Sequence, residues 1–312
     1  MLTCHASSAA SATTTGVAGT DGCWFDLVGG DAGERTQVEA ATGLRLPDRE
    51  HLGGIELSNR VGIAGDVLRL GIPYFSPDDD VAPSPVGFVL TPRYLVSLRY
   101  APSPAFDLAA ERVRAAAAGT STDAFVTLVQ SIVGSAADRM EAVAAEVGTL
   151  STRIFDSGRR NTALLRSTLA EIGRVETRLA RLRLSATGLL RLVLALREEA
   201  PAWFGKPALA HLHAAQKDLD VLCEFDSQLT DKLQFLLDAV LGFINIDQND
   251  VIKILTVASV VSIPPVILAG IWGMNFDRMP ELHAPHAYPL ALVAIALSIV
   301  LPLLWFKRRN WM

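Results

Sequence analysis

Residues Ile254 to Trp272 read ILTVASVVSIPPVILAGIW, and residues Tyr288 to Phe306 read YPLALVAIALSIVLPLLWF; neither run contains a charge. A helix needs about 20 apolar residues to cross a bilayer core of roughly 30 Å, so each run is long enough to span one. A pair of buried core helices is the other reading, but core helices seldom run so far without a charge. Between the runs lies GMNFDRMPELHAPHA, residues 273 to 287, whose only formal charges are Asp277, Arg278 and Glu281. The chain ends WFKRRNWM, with Lys307, Arg308 and Arg309 directly against the second run. Positive residues mark the cytoplasmic side. Both termini are therefore expected in the cytoplasm, and the 273–287 loop outside.

Upstream of the first run the chain is of ordinary composition. Over all 312 residues the net charge is −5, which argues against nucleic-acid binding, since that normally needs a basic face. Cys4, Cys23 and Cys223 show no CxxC spacing, so they suggest neither a disulfide framework nor a zinc site, and they suit a reducing compartment. The first residues, MLTCHASSAASATTTGVAGTDG, lack the basic start and apolar core of a secretory signal. Residues 1–20 read as a disordered tail of small residues.

Residues 21–118 mix strand and helix signals and are expected to form a cytoplasmic α/β domain. CWFDLV and DVLRLGIPYF read as strands, and PVGFVLTPRYLVSLRY as two strands around Thr91-Pro92. ERTQVEAATGL and DREHLGG read as short helices, and SPDDDVAPSP (Ser76 to Pro85) as a loop. Residues 119–248 are helical throughout, with two long amphipathic segments, the second Arg-rich, before the break PAWFGK (Pro201 to Lys206). A third helix starts near Pro207 and meets no further proline before Pro264-Pro265, so it is expected to run straight from the cytoplasm into the membrane. The implied architecture is an α+β membrane protein: an α/β domain, a long-helix stalk, a first span over 249–272, a loop over 273–287, a second span over 288–306 and a basic tail over 307–312.

The third helix is acidic before it becomes apolar. It carries Asp218, Asp220, Glu224, Asp226, Asp231, Asp238, Asp247 and Asp250 against Lys217 and Lys232. These acids form a solvated face, meet the Arg-rich helix, or bind divalent cations. Helical steps from Asn249 give a stripe through Ile252, Leu255 or Thr256, Ser259, Ile263, Val266, Gly270 and Gly273. Small residues in such a stripe permit close helix packing. They also suit a pore wall, which two spans cannot build alone; several copies would have to surround an axis, giving a funnel of identical helices. Run backwards, the stripe reaches Asp238, eleven residues or about three turns before Asn249. Asn275 lies at the outer end, where a ring of amide oxygens could hydrogen-bond to a hydrated Mg²⁺, an ion that gives up its waters reluctantly. Asp277 and Glu281 would draw cations to that mouth. No Walker motif, nucleophile elbow or HExxH is present, so no enzyme is expected.

GMNFDRMPEL between two C-terminal spans, followed by YP and a basic end with Trp, closely resembles the CorA family of magnesium channels. ELSNR (Glu56 to Arg60) also looks like part of that family's N-terminal domain. The resemblance implies a homopentamer in the inner membrane that admits Mg²⁺, and also Co²⁺ and Ni²⁺, down the membrane potential. It makes Gly273, Met274 and Asn275 the selectivity filter, Asn249 a pore residue at the base of the first span, and Ile252, Leu255 and Ile263 gate positions. Gly270 matches the pore glycine. Asp238 matches an acid that holds regulatory Mg²⁺ between subunits; Asp66 and Asp78 to Asp80 are candidates for the other half. Trp272 stands where the family usually has Tyr, and Ile263 where it often has Met. His283 and His286 in the outer loop read as plain loop residues or as a transition-metal entry site. The zinc-transporting branch lacks the Met of Gly-Met-Asn, so Met274 favours magnesium over the alternatives, a zinc- or proton-coupled transporter and a membrane-anchored binding protein.

Overall fold

The computed structural model describes residues 1–5, 24–52, 61–74, 84–116, 119–156, 162–274, 276, 279, 286–309 and 311. They divide into two compact units: Met1–Asp156 with Thr168–Leu236, and Ser157–Ser167 with Leu237–Met312.

The first unit opens with a six-stranded sheet in the order β1-β2-β6-β5-β4-β3, from β1 (Leu2–His5), β2 (Trp24–Val28), β3 (Val61–Ala64), β4 (Val67–Tyr74), β5 (Ser84–Leu90) and β6 (Leu95–Arg99). Only β2 and β6 pair in parallel. Helices α1 (Ala32–Thr42) and α2 (Arg49–Leu52) lie between β2 and β3 in the chain. Leu52 packs so close to the sheet that a Cβ on Gly87 would stand 2.7 Å from its methyl carbon, so Leu52 would have to shift for any side chain there; the paired Gly71 faces the same residue at 3.4 Å. Elsewhere in this core Phe88 stacks on Phe106 and meets Phe125 edge-on. These rings come from α3 (Pro104–Ala115) and α4 (Ser121–Phe155).

One polar network is sealed inside this core. Asp26 on β2 accepts from Ser97 Oγ at 2.6 Å and from Arg99 Nε and Nη2 at 3.0 and 2.9 Å. Ser97 in turn accepts from the Trp24 indole at 2.9 Å. The Arg99 guanidinium lies 4.9 Å from the Phe106 ring centre. Register explains the pairing: β2 and β6 run parallel with Asp26 opposite Ser97, so Arg99 follows two residues along the same face.

Two sequence expectations are corrected. Residues 1–20 were expected as a disordered tail, but Leu2–His5 form β1, antiparallel to Trp24–Leu27. Leu2 enters the core beside Phe25, and His5, on the opposite face of the strand, lies against the Trp24 ring at 4.6 Å, so both ends of the strand find apolar partners. Residues 6–20 lie outside the described residues. Within the expected loop Ser76 to Pro85, Ser84 and Pro85 already belong to β5, paired with Tyr74 and Pro73; residues 76–83 lie outside the described residues. Strand β3 was not foreseen. It is four residues long and turns into β4 at Gly65-Asp66, with Gly65 at φ 59°.

Three long helices follow the sheet: α4, α5 (Thr162–Glu199) and α6 (Lys206–Trp272). The chain turns between α5 and α6 through a short 3-10 segment, Ala202–Phe204, and Gly205 at φ 79°. The buried positions of α6 are Ala208, Leu212, Ala215, Leu219, Leu222, Asp226, Leu229, Leu233, Leu236 and Val240, alternating steps of four and three. Leu165, Thr168, Ile172, Val175, Leu179, Leu182, Ala186 and Leu189 repeat the pattern on α5. This is the spacing of a coiled-coil seam. Arginines of α5 are answered on both sides: Arg178 pairs with Glu146 of α4, and Arg183 pairs with Asp226 and bonds to Thr230 on α6; in the reverse sense Arg153 of α4 pairs with Glu171 of α5.

Asp226 is the one acid in the α6 seam. Its Oδ1 is buried without a hydrogen-bond partner, and burial pushes its pKa up against the pull of Arg183.

Two predictions follow from these buried charges. Arg99→Ala leaves the Asp26 carboxylate buried and unpaired, which costs about 3–5 kcal/mol; denaturant unfolding of the full-length protein should show the loss, and Asp26→Leu combined with Arg99→Met should recover much of it. Asp226 has its pKa raised by folding, so its stabilising contribution is complete below the unfolded value of about 3.9 and is lost as pH rises through the folded value. The melting temperature of Asp226→Asn should therefore gain on the wild type as pH rises from acid to neutral. A gain in the opposite direction would mean that the carboxylate is stabilised in place.

Candidate functional site

Helix α6 carries Asp238 and the whole predicted stripe from Asn249 to Gly270. It is one helix of 67 residues and continues without a break through Pro264-Pro265. The apolar part of α6 and helix α7 (Ala287–Arg308) are both long and apolar enough to cross a membrane. Neither is a core helix: none of the first apolar window is buried in the chain, and 6% of the second. Exposed apolar surface on this scale calls for lipid or further protein around it.

The first span has two sides. Val257, Val261, Pro264, Pro265, Leu268 and Trp272 are half-buried within the chain. At 3.6 residues per turn the predicted stripe falls on the opposite side. There Asn249, Ile252, Leu255, Ile263, Val266 and Gly270 are exposed, while Thr256 and Ser259 are half-buried. Of the apolar side chains Ile252, Leu255, Ile263 and Val266, the most open are Leu255 and Val266, at 67% and 69% exposure. Thr256 donates its hydroxyl to the Ile252 carbonyl at 2.8 Å, turning that polar group onto its own helix. Asp238 is exposed, three turns below Asn249 on the same rod.

At the outer end, the Gly273 amide donates to the Ala269 carbonyl at 2.9 Å, and the Met274 amide donates to the Ile271 carbonyl at 3.3 Å. The φ of Gly273 is not in the left-handed range, and the constraint there is one of space: a Cβ would stand 3.0 Å from the Ala269 carbonyl oxygen. Met274 is half-exposed. Asn275, Asp277, Glu281 and His283 lie outside the described residues, as do Asp78 to Asp80 and the segment Glu56 to Arg60. His286 is exposed at the N-cap of α7, where its carbonyl accepts from Leu290. Asp66 is exposed in the β3–β4 turn. Among the described residues no three His, Cys, Asp or Glu side chains converge as metal ligands.

The sequence reading left the acids of α6 open between three roles. Asp226 meets the Arg-rich helix, and the other seven stand outside the seam. The reading missed a cleft at the foot of the first span that Asn249, Lys253 and Thr256 share with Trp311 of the tail. The available signal was a tryptophan five residues beyond an apolar span, in a tail that should otherwise be fully polar.

A family model for CorA-like Mg²⁺ transporter proteins matches residues 19–308. The chain belongs to this family. The match covers the α/β domain as well as the C-terminal spans, so the relationship extends well beyond the Gly-Met-Asn segment. The magnesium transport protein CorA of Salmonella typhimurium is 34% identical over 298 residues, covering 94% of this chain and 92% of that protein. Among solved structures, the complete CorA magnesium transporter of Methanocaldococcus jannaschii is similar at a TM-score of 0.81 and 17% identity, covering 100% of this chain and 99% of that one. The ZntB cytoplasmic domain from Vibrio parahaemolyticus is similar at a TM-score of 0.54 and 13% identity, covering 72% of this chain and 88% of that one. At such identities the structural likeness speaks for the fold: a mixed α/β soluble part, a long helix and a C-terminal helix. The CorA-like family consists of transporters and not enzymes, which places the chemistry of this chain in binding and passage.

Proposed function

We propose that this chain carries Mg²⁺ passively into the cell across the inner membrane, admits Co²⁺ and Ni²⁺ by the same route, and works as a homopentamer. The observation that carries the reading is the open stripe on α6, which leads from Asp238 past Asn249 to Gly273 on the side of the helix left uncovered by its own chain. Identical stripes facing a common axis make a pathway. The domain order is the one read from the sequence: cytoplasmic residues 21–118 and 119–248, spans over 249–272 and 288–306, and both termini inside.

Gly273, Met274 and Asn275 form the filter in this proposal. Amide oxygens of Asn275 hold the waters of a hydrated Mg²⁺ and do not strip them. Asp277 and Glu281 raise the local cation concentration at the mouth. Ile252, Leu255, Ile263 and Val266 form the constriction, since an apolar ring closes a pore by excluding water. One charge moved across 100 mV is worth about 2.3 kcal/mol, so a divalent ion gains roughly twice that, enough for more than thousandfold accumulation. No ATP is required, but a brake is. Asp238 is exposed, and a regulatory Mg²⁺ there would take carboxylates from a neighbouring subunit. That ion would hold the stalks together when internal Mg²⁺ is high.

The likeness to the ZntB cytoplasmic domain keeps a second reading in view, a zinc- or proton-coupled transporter. Flux in liposomes, with and without a pH gradient, separates the two. Asn275→Ala should reduce Mg²⁺ uptake to background while the oligomer elutes unchanged; undiminished uptake would remove the filter assignment. Asp238→Ala should raise, several-fold, the internal Mg²⁺ needed to close the pathway. An unchanged dependence would place the sensor elsewhere.

A further inference from the structure

We propose that His5 is an acid-released latch: its neutral imidazole holds β1 on the edge of the sheet, and taking up a proton frees the strand. The observation behind it is a titratable ring buried at one end of an edge strand, beside α3.

The ring has a fixed floor. His5 is 8% exposed and lies against the fully buried Trp24 ring. That ring is held in place: its indole N–H donates to Ser97 Oγ at 2.9 Å, and Phe106 stands 6.5 Å away. The sheet ends at β1, so the strand has β2 on one side only. At its far end Leu2 enters the core, and the Val28 amide donates to the Met1 carbonyl at 3.1 Å. His5 is the fastening at the end where the chain leaves the strand, and Cys4, opposite Phe25, lies next to it.

Four charged groups act on His5: Asp26 from β2, Arg99 from β6, and Asp107 and Arg114 from α3. Two are acids and two are bases, so their charges cancel. Neither acid is free for an imidazolium. Asp26 is taken up by Ser97 and Arg99, and Asp107 lies 3.6 Å from Arg99. The indole face attracts a cation, but by less than the cation loses on leaving water. Burial therefore decides, and it pushes the pKa of His5 below its ordinary value of about 6.5.

The sign follows from that direction. A ring docked as the neutral form holds the strand at full strength above about pH 6.5. Its hold weakens as pH falls below that value, by up to about tenfold per pH unit. Release strips β2 of its outer partner and leaves an unpaired strand edge beside the Trp24 ring. Under the proposed function the α/β domain faces the cytoplasm, so the latch responds to internal acidification.

The strand carries its own reporter, since Cys4 is half-buried while β1 is docked. The test labels full-length protein bearing Cys23→Ser and Cys223→Ser with dithiodipyridine, a disulfide that reacts with thiols in acid as well as at neutral pH. Each rate is divided by that of glutathione at the same pH. The normalised rate should rise by up to about tenfold per pH unit below about pH 6.5. His5→Phe, added to this background, keeps a ring against Trp24 with no proton to take up, and its rate should stay flat. His5→Gln should label faster at neutral pH, for want of the ring, and be equally flat. A flat rate with His5 in place overturns the proposal, as does a rise that persists in either variant. A chain that keeps only Cys223 reports on the rest of the first unit. If its normalised rate rises in parallel, the whole fold is loosening and the latch is overturned.

Discussion

A helix satisfies its own backbone hydrogen bonds, and this is what lets one segment pass from water into hydrocarbon without a break. Helix α6 depends on it throughout. Over Leu212 to Leu236 its buried residues follow a seam at steps of three and four, and the exposed surface carries most of its acids together with Val221 and Phe235. From Ile254 to Trp272 the charge disappears and apolar residues occupy every side of the helix, half-buried on one side and exposed on the other. The same backbone geometry serves both regimes, and only the side-chain pattern changes at the boundary. Lys253 and Asp250 are the last charges before the change. The adjacent prolines remove the donors that would reach the Val260 and Val261 carbonyls, yet the helix continues.

The elements legible in the sequence were those with a strong period or strong punctuation. The strands Trp24–Val28, Val67–Tyr74 and Leu95–Arg99, the long helices and the break at Pro201 to Gly205 lie where the residues place them. The misses have physical causes. β1 exists only because β2 offers it an edge, and nothing in a run of small residues announces a partner twenty positions away. β3 is too short to show alternation. The role of Asp226 was hidden because a buried acid and a solvated one read alike until the seam is counted. For the site, the stripe on the first span could be read from helical steps alone, since exposure on that face follows from which residues the chain covers. The tail cleft could not, because it joins residues some sixty positions apart through a turn at Arg309 and Trp311 that no local pattern specifies.

Counting the seam also sorts the acids. Asp226 falls on it, between Leu222 and Leu229, and meets Arg183. Asp238 falls between Leu236 and Val240 and points away. Glu224, Asp231 and Asp238 share a side with Asn249, and Asp238 is the nearest of them to the membrane. Under the proposed function it must influence an outer mouth at Gly273, thirty-five residues along the helix, or roughly 50 Å at 1.5 Å per residue. Screening in physiological salt cuts off charge–charge interaction within about 8 Å, so no field from Asp238 reaches that mouth through water. The sensor and the constriction can be coupled only through the rod that joins them. A continuous helix transmits tilt, and the exposed side chains at Ile252, Leu255 and Ile263 lie along its length where a small tilt moves them towards or away from an axis. The uninterrupted course of α6 is therefore a requirement of the proposed gating, and a flexible joint between Asp238 and Asn249 would uncouple it.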